Sequence, residues 1–254
     1  MIRVEHIVKS FDSQIVLNDI STQFDAGKTN LIIGRSGAGK TVLLKIIVGL
    51  LKPTTGNVWY DDVNFSTLDK RAIRTIRMQV GMLFQGSALF DSMTIEENIR
   101  FPLDMFTNMT KTEKVKRVNY CLERVSLEGN NSKYPSEVSG GMQKRVGIAR
   151  AIVLNPKYLF CDEPNSGLDP KTSIVIDELI RSITIENNIT TVINTHDMNS
   201  VMEIGDNIVL LHQGELAWQG NRNDVLTSDN EILEGFIFAS PFLKRLRDKA
   251  IDNK

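Results

Sequence analysis

The chain has few cysteine, tryptophan and histidine residues: two, two and three among 254. Because Cys121 and Cys161 are too few for the disulfide framework of a secreted scaffold, we expect a reducing, cytosolic environment. Long hydrophobic runs are also missing. The richest apolar stretch, residues 42–51, is interrupted by Lys45 and Gly49 and is far shorter than the roughly 18 residues that a membrane span needs. A function at a membrane would therefore require docking onto another protein.

An excess of charge of either sign is absent as well. Thirty basic residues against 31 acidic ones give a formal net charge of −1. Nucleic acid is therefore not an expected partner, since no overall positive field would attract it. The contents of 41% hydrophobic and 24% charged residues are typical of a globular protein and exclude disordered and collagen-like classes.

Short apolar runs that end in polar residues alternate with helical patterns. Runs at 31–33, 158–161, 191–193 and 208–211 predict parallel strands buried on both faces, whose polar tips would share one edge of the sheet. Segments 3–8, 15–18 and 20–24 predict short antiparallel strands, and 57–61 predicts a second hairpin. Residues 87–151 are mostly helical in pattern, with breaks at 107–108 and 129–131, and a helical appendage follows residue 221.

The segment Gly34 to Thr41, GRSGAGKT, matches the phosphate-binding pattern G-x-x-x-x-G-K-[ST] between an apolar strand and an apolar helix. Glycines allow backbone N–H groups to surround phosphate oxygens, and the helix N-terminus adds partial positive charge. Lys40 is expected to reach the β- and γ-phosphates, and the Thr41 hydroxyl to bind Mg²⁺. Arg35 occupies a variable position and is expected to be solvated. A chance glycine-rich turn is the alternative.

A P-loop requires an acidic strand tip to hold its metal ion, and Asp162 and Glu163 follow the run YLFC. We expect Asp162 to contact Mg²⁺ through water and Glu163 to activate the attacking water as a general base. The alternative is a solvated acidic pair. Cys161, on the strand itself, is expected to be a small buried hydrophobe.

Between these two strands lies VSGGMQKR, residues 138–145, which resembles the LSGGQ signature of ATP-binding cassette proteins. The alternative for Ser139 is an ordinary helix N-cap. The resemblance implies that two chains pack head to tail as a homodimer, so that Ser139, Gly140 and Gly141 of one chain cover the ATP of the other. ATP hydrolysis would then open the dimer.

The other landmarks of this family follow in order. Phe11 matches the aromatic residue that stacks on adenine, with a core Phe as the alternative. Gln85 matches the glutamine that contacts Mg²⁺ or water, residues 166–169 resemble the loop that crosses the dimer interface, and His196 matches the switch histidine at the γ-phosphate. The resemblance thus implies catalytic roles for Glu163, His196, Lys40 and Gln85. The implied metal ligands are Thr41, Gln85 and Asp162, and the implied ATP-binding residues are Phe11, Gly34, Arg35, Ser36, Gly37, Ala38, Gly39, Lys40, Thr41, Ser139, Gly140 and Gly141.

The fold class that this resemblance implies is α/β: a P-loop NTPase (RecA-like) core with an antiparallel β subdomain and an inserted helical subdomain. The expected units are 1–85 (nucleotide-binding core with the β subdomain), 86–151 (helical subdomain with the signature), 152–225 (remainder of the core) and 226–254 (C-terminal helical extension). The tail, residues 236–246, is expected to pack on its own core or on the dimer partner, with a membrane-surface helix as the alternative.

Two details resemble one branch of the family. Met142 replaces the usual glutamine of the signature, and FQGSALFDSMT, residues 84–94, resembles ATPases linked to MCE proteins, the lipid-asymmetry (Mla) type of bacterial phospholipid transporter. This implies a membrane permease docking near Gln85–Leu103, an MCE-type periplasmic lipid-binding protein reached through the permease, and a peripheral location on the cytoplasmic face of the inner membrane. The alternatives are a transporter for amino acids, metals or lipoproteins, or a soluble cassette ATPase outside transport.

Two further features have simpler interpretations. The basic residues Lys70, Arg71, Arg74 and Arg77 are spaced as on a helix, which predicts a solvated face, with contact to a permease or to lipid headgroups as the alternative. Asn165, between the acidic pair and the interface-crossing loop, is expected to be a solvated polar residue.

Overall fold

The structure is a computed structural model that describes residues 1–238. Its strands are β1 (Ile2–Phe11), β2 (Gln14–Phe24), β3 (Thr29–Ile33), β4 (Thr55–Tyr60), β5 (Val63–Asn64), β6 (Val80–Leu83), β7 (Tyr158–Asp162), β8 (Thr190–Asn194), β9 (Asn207–His212) and β10 (Glu215–Gly220). Its α-helices are α1 (Lys40–Val48), α2 (Lys70–Arg77), α3 (Ile95–Phe106), α4 (Lys111–Arg124), α5 (Gly140–Ile152), α6 (Pro170–Glu186), α7 (Met198–Ile204), α8 (Arg222–Thr227) and α9 (Glu231–Ile237).

The larger sheet of the described chain carries the order β10-β9-β3-β8-β7-β6, and all of its neighbours pair in parallel except β9 and β10. Strands β3, β7 and β8 are buried along their whole length, which is why each contains a run of consecutive apolar residues rather than a strict alternation. The parallel-sheet prediction is confirmed. Strand β6 was not predicted, because Gly81 interrupts its short run; a Cβ there would lie 2.2 Å from the Ala151 carbonyl oxygen.

The smaller sheet is antiparallel, with the order β2-β1-β4-β5. The predicted hairpin around 57–61 is confirmed by the pairing of β4 with β5. The prediction of separate strands at 15–18 and 20–24 is wrong, since β2 is continuous. Asp19 adopts a positive φ of 52°, and the register with β1 shifts nearby, so the irregularity is absorbed as a bulge instead of a break.

Helices α3, α4 and α5 follow one another between β6 and β7, as the helical pattern of this region predicts. Capping boxes at Thr94 and Thr110 fix the starts of α3 and α4. Helix α2 buries none of its residues, which confirms the solvated face predicted for its basic residues, although Arg77 donates to the Gly49 carbonyl at 2.9 Å.

The larger sheet separates two hydrophobic clusters. On β3, Leu31 and Ile33 join the cluster formed with α3 to α6, whereas Ile32 joins the cluster formed with α1 and the antiparallel sheet. This alternation follows from the two-residue period of a strand. The carboxyl end of β3 is therefore held from both faces at the point where the glycine-rich segment begins.

The C-terminal part of the described chain consists of α8 and α9. Leu233 and Ile237 of α9 are buried, so the start of the predicted tail packs on its own chain, whereas residues 239–254 lie outside the described residues. Within residues 1–238, no helix combines the length and the apolar character needed to cross a membrane.

Candidate active site

The glycine-rich segment connects the end of β3 to the start of α1, as predicted. Gly34 has a φ of 145°, and a Cβ there would lie 2.3 Å from the Leu211 carbonyl oxygen. Gly39, the residue before α1, has a φ of 98°, and its Cβ would lie 2.5 Å from Leu17 Cδ2. Both positions therefore require glycine, because the loop combines a left-handed backbone with close packing.

Lys40 begins α1 and is buried beneath this loop, with 8% of its surface exposed. Its Nζ donates to the Gly34 carbonyl at 2.8 Å and to the Arg35 carbonyl at 3.3 Å. Burial lowers the pKa of Lys40, and the nearby Glu163 and Asp162 carboxylates oppose this shift. A buried ammonium held only by main-chain carbonyls is a natural counter-charge for a phosphate in the loop.

Thr41 and Asp162 are brought together by one amide group. Asn194, at the end of β8, donates from Nδ2 to Thr41 Oγ1 at 3.1 Å and to Asp162 Oδ1 at 2.5 Å. Its Oδ1 is buried and has no hydrogen-bond partner among residues 1–238. A hydroxyl and a carboxylate at a phosphate loop fit Mg²⁺, which keeps several waters and takes one or two carboxylates plus substrate phosphates. The sequence pattern does not predict this role of Asn194.

Glu163 and His196 meet at the mouth of the loop. Glu163 Oε2 lies 2.7 Å from His196 Nδ1, and the exposed fractions of the two side chains are 14% and 68%. Glu163 adopts a positive φ of 50°, and its N–H donates to the Asn194 carbonyl at 2.8 Å. The strained backbone turns the carboxylate out of the sheet edge and towards the cleft.

Lys40, Thr41, Glu163 and His196 line one cleft of about 540 Å³. Of the residues predicted from the sequence, its wall contains Gly34, Arg35, Ser36, Gly37, Gly39, Lys40, Thr41, Gln85, Glu163 and His196. The predicted metal ligand Asp162 is buried and does not line the cleft, although Asn194 connects it to Thr41. Ala38, within the loop, is buried. Arg35 is exposed, as expected, although its Nη2 lies 3.5 Å from the Gly235 carbonyl oxygen.

Phe11 does not line this cleft, whereas Val16, on the neighbouring strand, does. Phe11 is 44% exposed, with Lys9 Nζ 4.9 Å from its ring centroid, so the core-Phe alternative is wrong. An exposed ring is free to stack on a ligand face.

The signature segment lies apart from the P-loop of its own chain. Ser139 caps α5 through a hydrogen bond from the Met142 N–H at 3.3 Å. Ser139 and Gly140 are exposed, and Gly140 lines a second cavity together with Gln85 and residues 166–168. Neither Ser139, Gly140 nor Gly141 lines the cleft that holds Lys40. The start of α5 is therefore accessible to the surface of another protein.

Lys144, one turn into α5, connects the helix that follows the signature to the main chain at Gln85 and Glu163. This contact was not predicted. Lys144 is 5% exposed, and its Nζ donates to the main-chain carbonyls of Gln85 and Glu163. Burial lowers its pKa. The basic run at 144–145 in the sequence was the only available signal, and it does not distinguish a buried cation from an exposed one.

Two other predictions have clear outcomes. Cys161 is fully buried on β7, as expected, and burial raises the pKa of its thiol. The prediction that Asn165 is solvated is wrong: it is 8% exposed, because Asp177 and Ser200 supply polar partners inside the protein.

An apolar groove of about 400 Å³ lies behind Gln85, between β6, α3 and α5. Its walls include Phe84, Phe90 and Phe106, each about 40% exposed. Asn98 of α3, which is fully buried, shapes one side by hydrogen bonding the backbone of the preceding loop at Phe90, Met93 and Thr94.

Comparison with known proteins places this geometry in a family. Residues 17–166 match the family model described as ABC transporter. Curated relatives include a probable ribonucleotide transport ATP-binding protein, mkl, of Mycobacterium leprae, which is 38% identical over 93% of this chain and 68% of its own length. The methionine import ATP-binding protein MetN of Carboxydothermus hydrogenoformans is 42% identical over 82% of this chain and 62% of its own length.

Solved structures agree. The ATP-binding cassette MJ0796, in a dimeric post-hydrolysis state with ADP and Pi, is 33% identical with a TM-score of 0.79 over 87% of this chain and 99% of its own. The cassette cbiO1 of Clostridium perfringens is 28% identical with a TM-score of 0.83 over 97% of this chain and 98% of its own. The chain spans about two thirds of the length of the curated relatives that it matches. The predicted fold class is confirmed, and the chain belongs to the ABC transporter family as an ATP-binding cassette that binds ATP with Mg²⁺ and hydrolyses it.

Proposed function

We propose that the chain is the ATPase subunit of a bacterial ABC transporter and that it powers phospholipid transport through a membrane permease. The observation that carries the ATPase half of this proposal is the Glu163–His196 pair, 2.7 Å apart at the mouth of the glycine-rich loop. A carboxylate oriented by an imidazole beside a phosphate cradle is the arrangement that activates water for attack on phosphorus.

Each residue of the cleft has a role in this proposal. Lys40 exchanges its two main-chain carbonyl partners for phosphate oxygens, so its buried charge gains a counter-ion on ATP binding. Glu163 takes a proton from the attacking water, and His196 holds the carboxylate and contacts the γ-phosphate. Mg²⁺, held by Thr41, Gln85 and Asp162, would neutralise charge on the phosphates. Phe11 stacks on the adenine from its exposed position.

The signature segment completes the site only in a dimer. Ser139, Gly140 and Gly141 do not line the cleft of their own chain, and both Ser139 and Gly140 are exposed. We place them over the ATP of a second copy packed head to tail, and residues 166–169 at the interface. Dimeric neighbours among the solved cassettes support this arrangement. In this proposal the chain divides into units 1–85, 86–151, 152–225 and 226–254.

The apolar groove is the proposed docking site for the permease, and the predicted segment Gln85–Leu103 forms part of its wall through Ala88, Phe90, Phe101 and Pro102. Phe90 and Phe101 pack there with ring centroids 5.0 Å apart, and Arg150 binds the carbonyls of Ser87 and Ala88 at 2.5 and 2.7 Å. A groove of this shape suits a short helix of another protein. The chain would thereby be a peripheral subunit on the cytoplasmic face of the inner membrane.

The phospholipid assignment rests on the sequence of this groove and of the signature. Met142 and the segment FQGSALFDSMT resemble the MCE-linked branch, which adds an MCE-type lipid-binding protein beyond the permease. The names of the relatives, ribonucleotide transport and methionine import, support a second candidate, the import of a small polar solute. The chain itself contacts no cargo in either case, so the permease decides between them.

Glu163→Gln tests the ATPase mechanism. The amide keeps the shape of the carboxylate but cannot accept a proton, so we expect turnover to fall by at least about a hundredfold, with ATP affinity unchanged and an ATP-dependent dimer accumulating in size-exclusion chromatography. Glu178→Gln on the exposed face of α6 is the matched control. Turnover near that of the wild type in E163Q would refute the role of Glu163 as the base.

The substrate is tested by purifying the tagged chain from detergent-solubilised membranes and identifying the co-purifying permease and lipids. An MCE protein and enriched phospholipid support the lipid assignment. A permease accompanied by a solute-binding protein, with no lipid enrichment over the detergent control, overturns it while leaving the ATPase assignment intact.

A further inference from the structure

A closed ring of buried polar groups lies directly behind the Glu163–His196 pair. Asn165 Nδ2 donates to Asp177 Oδ1 at 2.9 Å and to Ser200 Oγ at 3.0 Å, and Ser200 Oγ donates to Asp177 Oδ2 at 2.7 Å. The exposed fractions of Asn165, Asp177 and Ser200 are 8%, 4% and 1%. The ring joins a loop, α6 and α7, three segments that are distant in sequence.

The position of this ring relates it to catalysis. Asn165 follows Glu163 by two residues, and Ser200 follows His196 by four. The two segments are thus tied together at two points: by Glu163 with His196 in the cleft, and by Asn165 with Ser200 in the interior. Asp177 lies on α6, so the ring also attaches this helix to the two segments. Helix α6 starts directly after Asp169 of the proposed interface loop.

The ring is costly to bury, which argues against a purely structural origin. In the described part of the chain, Asn165 Oδ1 is buried without a hydrogen-bond partner, and an unsatisfied buried acceptor costs about 1–3 kcal/mol. Burial raises the pKa of Asp177 to about 6, and the carboxylates of Asp197 and Glu203 on the α7 side reinforce this shift. From β7, the thiol of Cys161 also faces Asp177. A well-packed apolar trio would avoid both costs.

We propose that Asn165, Asp177 and Ser200 form a positioning cluster for the hydrolysis step, holding the loop that carries Glu163 at a fixed distance from the segment that carries His196. This inference rests on the proposed roles of Glu163 and His196. The cluster acts in the state with Asp177 ionised, because only a carboxylate accepts both hydrogen bonds of the ring. It does not touch the P-loop, so it affects the rate of hydrolysis and not the binding of ATP.

The test measures kcat and KM for ATP in the full chain. Asn165→Ala and Ser200→Ala each open the ring, so we expect kcat to fall about tenfold while KM changes less than about twofold, since a misplaced base slows chemistry without removing phosphate contacts. Ser200→Ala removes only a hydroxyl and keeps helix propensity, so it remains informative if Asn165→Ala fails to fold. A thermal melt of each variant reports folding, and Glu178→Gln is the control.

The pH profile separates positioning from simple structural support. Wild-type kcat should decline as the pH falls through about 6, where Asp177 takes up a proton and gives up an acceptor. Asp177→Ala should lose about tenfold at all pH values. Asp177→Asn resembles the protonated side chain at every pH, because its amide oxygen can accept from Asn165 but its amide nitrogen cannot accept from Ser200. Its kcat should therefore stay near the low value of the wild type at acidic pH and should not show the decline through about pH 6, which the control Glu178→Gln should keep.

Two results would overturn the inference: wild-type kcat in folded Asn165→Ala and Ser200→Ala, or an acidic decline in Asp177→Asn identical to that of the wild type. Glu163→Gln, measured in the same assay, keeps the two proposals apart. Normal turnover in Glu163→Gln would refute the proposed role of Glu163. An inactive Glu163→Gln together with wild-type kcat in Asn165→Ala and Ser200→Ala would refute only the proposed role of the cluster.

Discussion

The cradle around Lys40 and the signature segment around Ser139 differ in how far their own chain completes them. In the cradle, Lys40 and Asp162 are buried, and their side chains are hydrogen-bonded to groups of the same chain. In the signature segment, Ser139 and Gly140 are exposed at the start of α5. The difference teaches that one chain builds the nucleotide-holding half of the site and presents the other half outward.

The largest effect is expected for Lys40→Ala, which should abolish ATP binding by the cradle. It removes a buried cation at the loop, and losing one such preorganised donor costs roughly 3–4 kcal/mol. We therefore expect ATP affinity to fall by at least about a hundredfold, measured by isothermal titration with wild type alongside. Lys45→Ala, on the exposed side of the same helix, should bind normally. Equal affinities of the two variants would contradict the assignment of Lys40.

Lys144→Met sharpens the comparison, because Lys144 connects the signature helix to the main chain at Gln85 and Glu163. Methionine fills a similar volume without the charge, so the two carbonyls lose their donor. We expect kcat to fall by about tenfold or more with little change in KM. Lys116→Met on the exposed side of α4 should be neutral. A larger effect on KM than on kcat would place Lys144 in ATP binding instead.

A further effect is expected on stability, and it reports on the buried cluster of Asn165, Asp177 and Ser200. The pKa of Asp177 in the folded chain, about 6, lies above its ordinary value of 3.8. The folded chain therefore keeps a proton that the unfolded chain releases between these pH values, so this contribution to stability is present at low pH and lost as the pH rises through about 6.

Urea unfolding at about pH 4 and pH 7.5 measures this contribution. Wild type should lose up to about 3 kcal/mol more than Asp177→Asn between the two pH values, since two pKa units correspond to about that energy. An identical pH dependence in the two proteins would show that Asp177 ionises as freely in the folded chain as in the unfolded one.

Elements with strong local signals could be predicted from the sequence. The strands β3, β7 and β8 each contain a compact apolar run, and the P-loop combines its glycines with a following lysine and threonine. Strand β6 was missed because a close approach to Ala151 requires a glycine in its short run. The sequence pattern does not distinguish the bulge at Asp19 from a break between two strands, because a bulge and a turn share the same polar residues.

The polar interior could not be predicted, because it depends on partners distant in the chain. Asn165 is buried only because Asp177, 12 residues on, and Ser200, 35 residues on, complete its hydrogen bonds. Asn194 and Lys144 likewise bond residues of separate elements. A local pattern carries no signal for such a group, so a buried asparagine or lysine looks like a solvated one until the fold brings its partners together.

Mixing two inactive variants tests most directly whether a second copy completes the site. Lys40→Ala disables the cradle, and Gly140→Arg obstructs the signature segment at a position where a Cβ meets open space in its own chain, so its ATP affinity should stay normal. In a head-to-tail dimer of the two, one of the composite sites combines an intact cradle with an intact signature. The account predicts that each variant alone hydrolyses no ATP and that their mixture recovers turnover. No recovery on mixing, with both variants folded and Gly140→Arg still binding ATP, would contradict it.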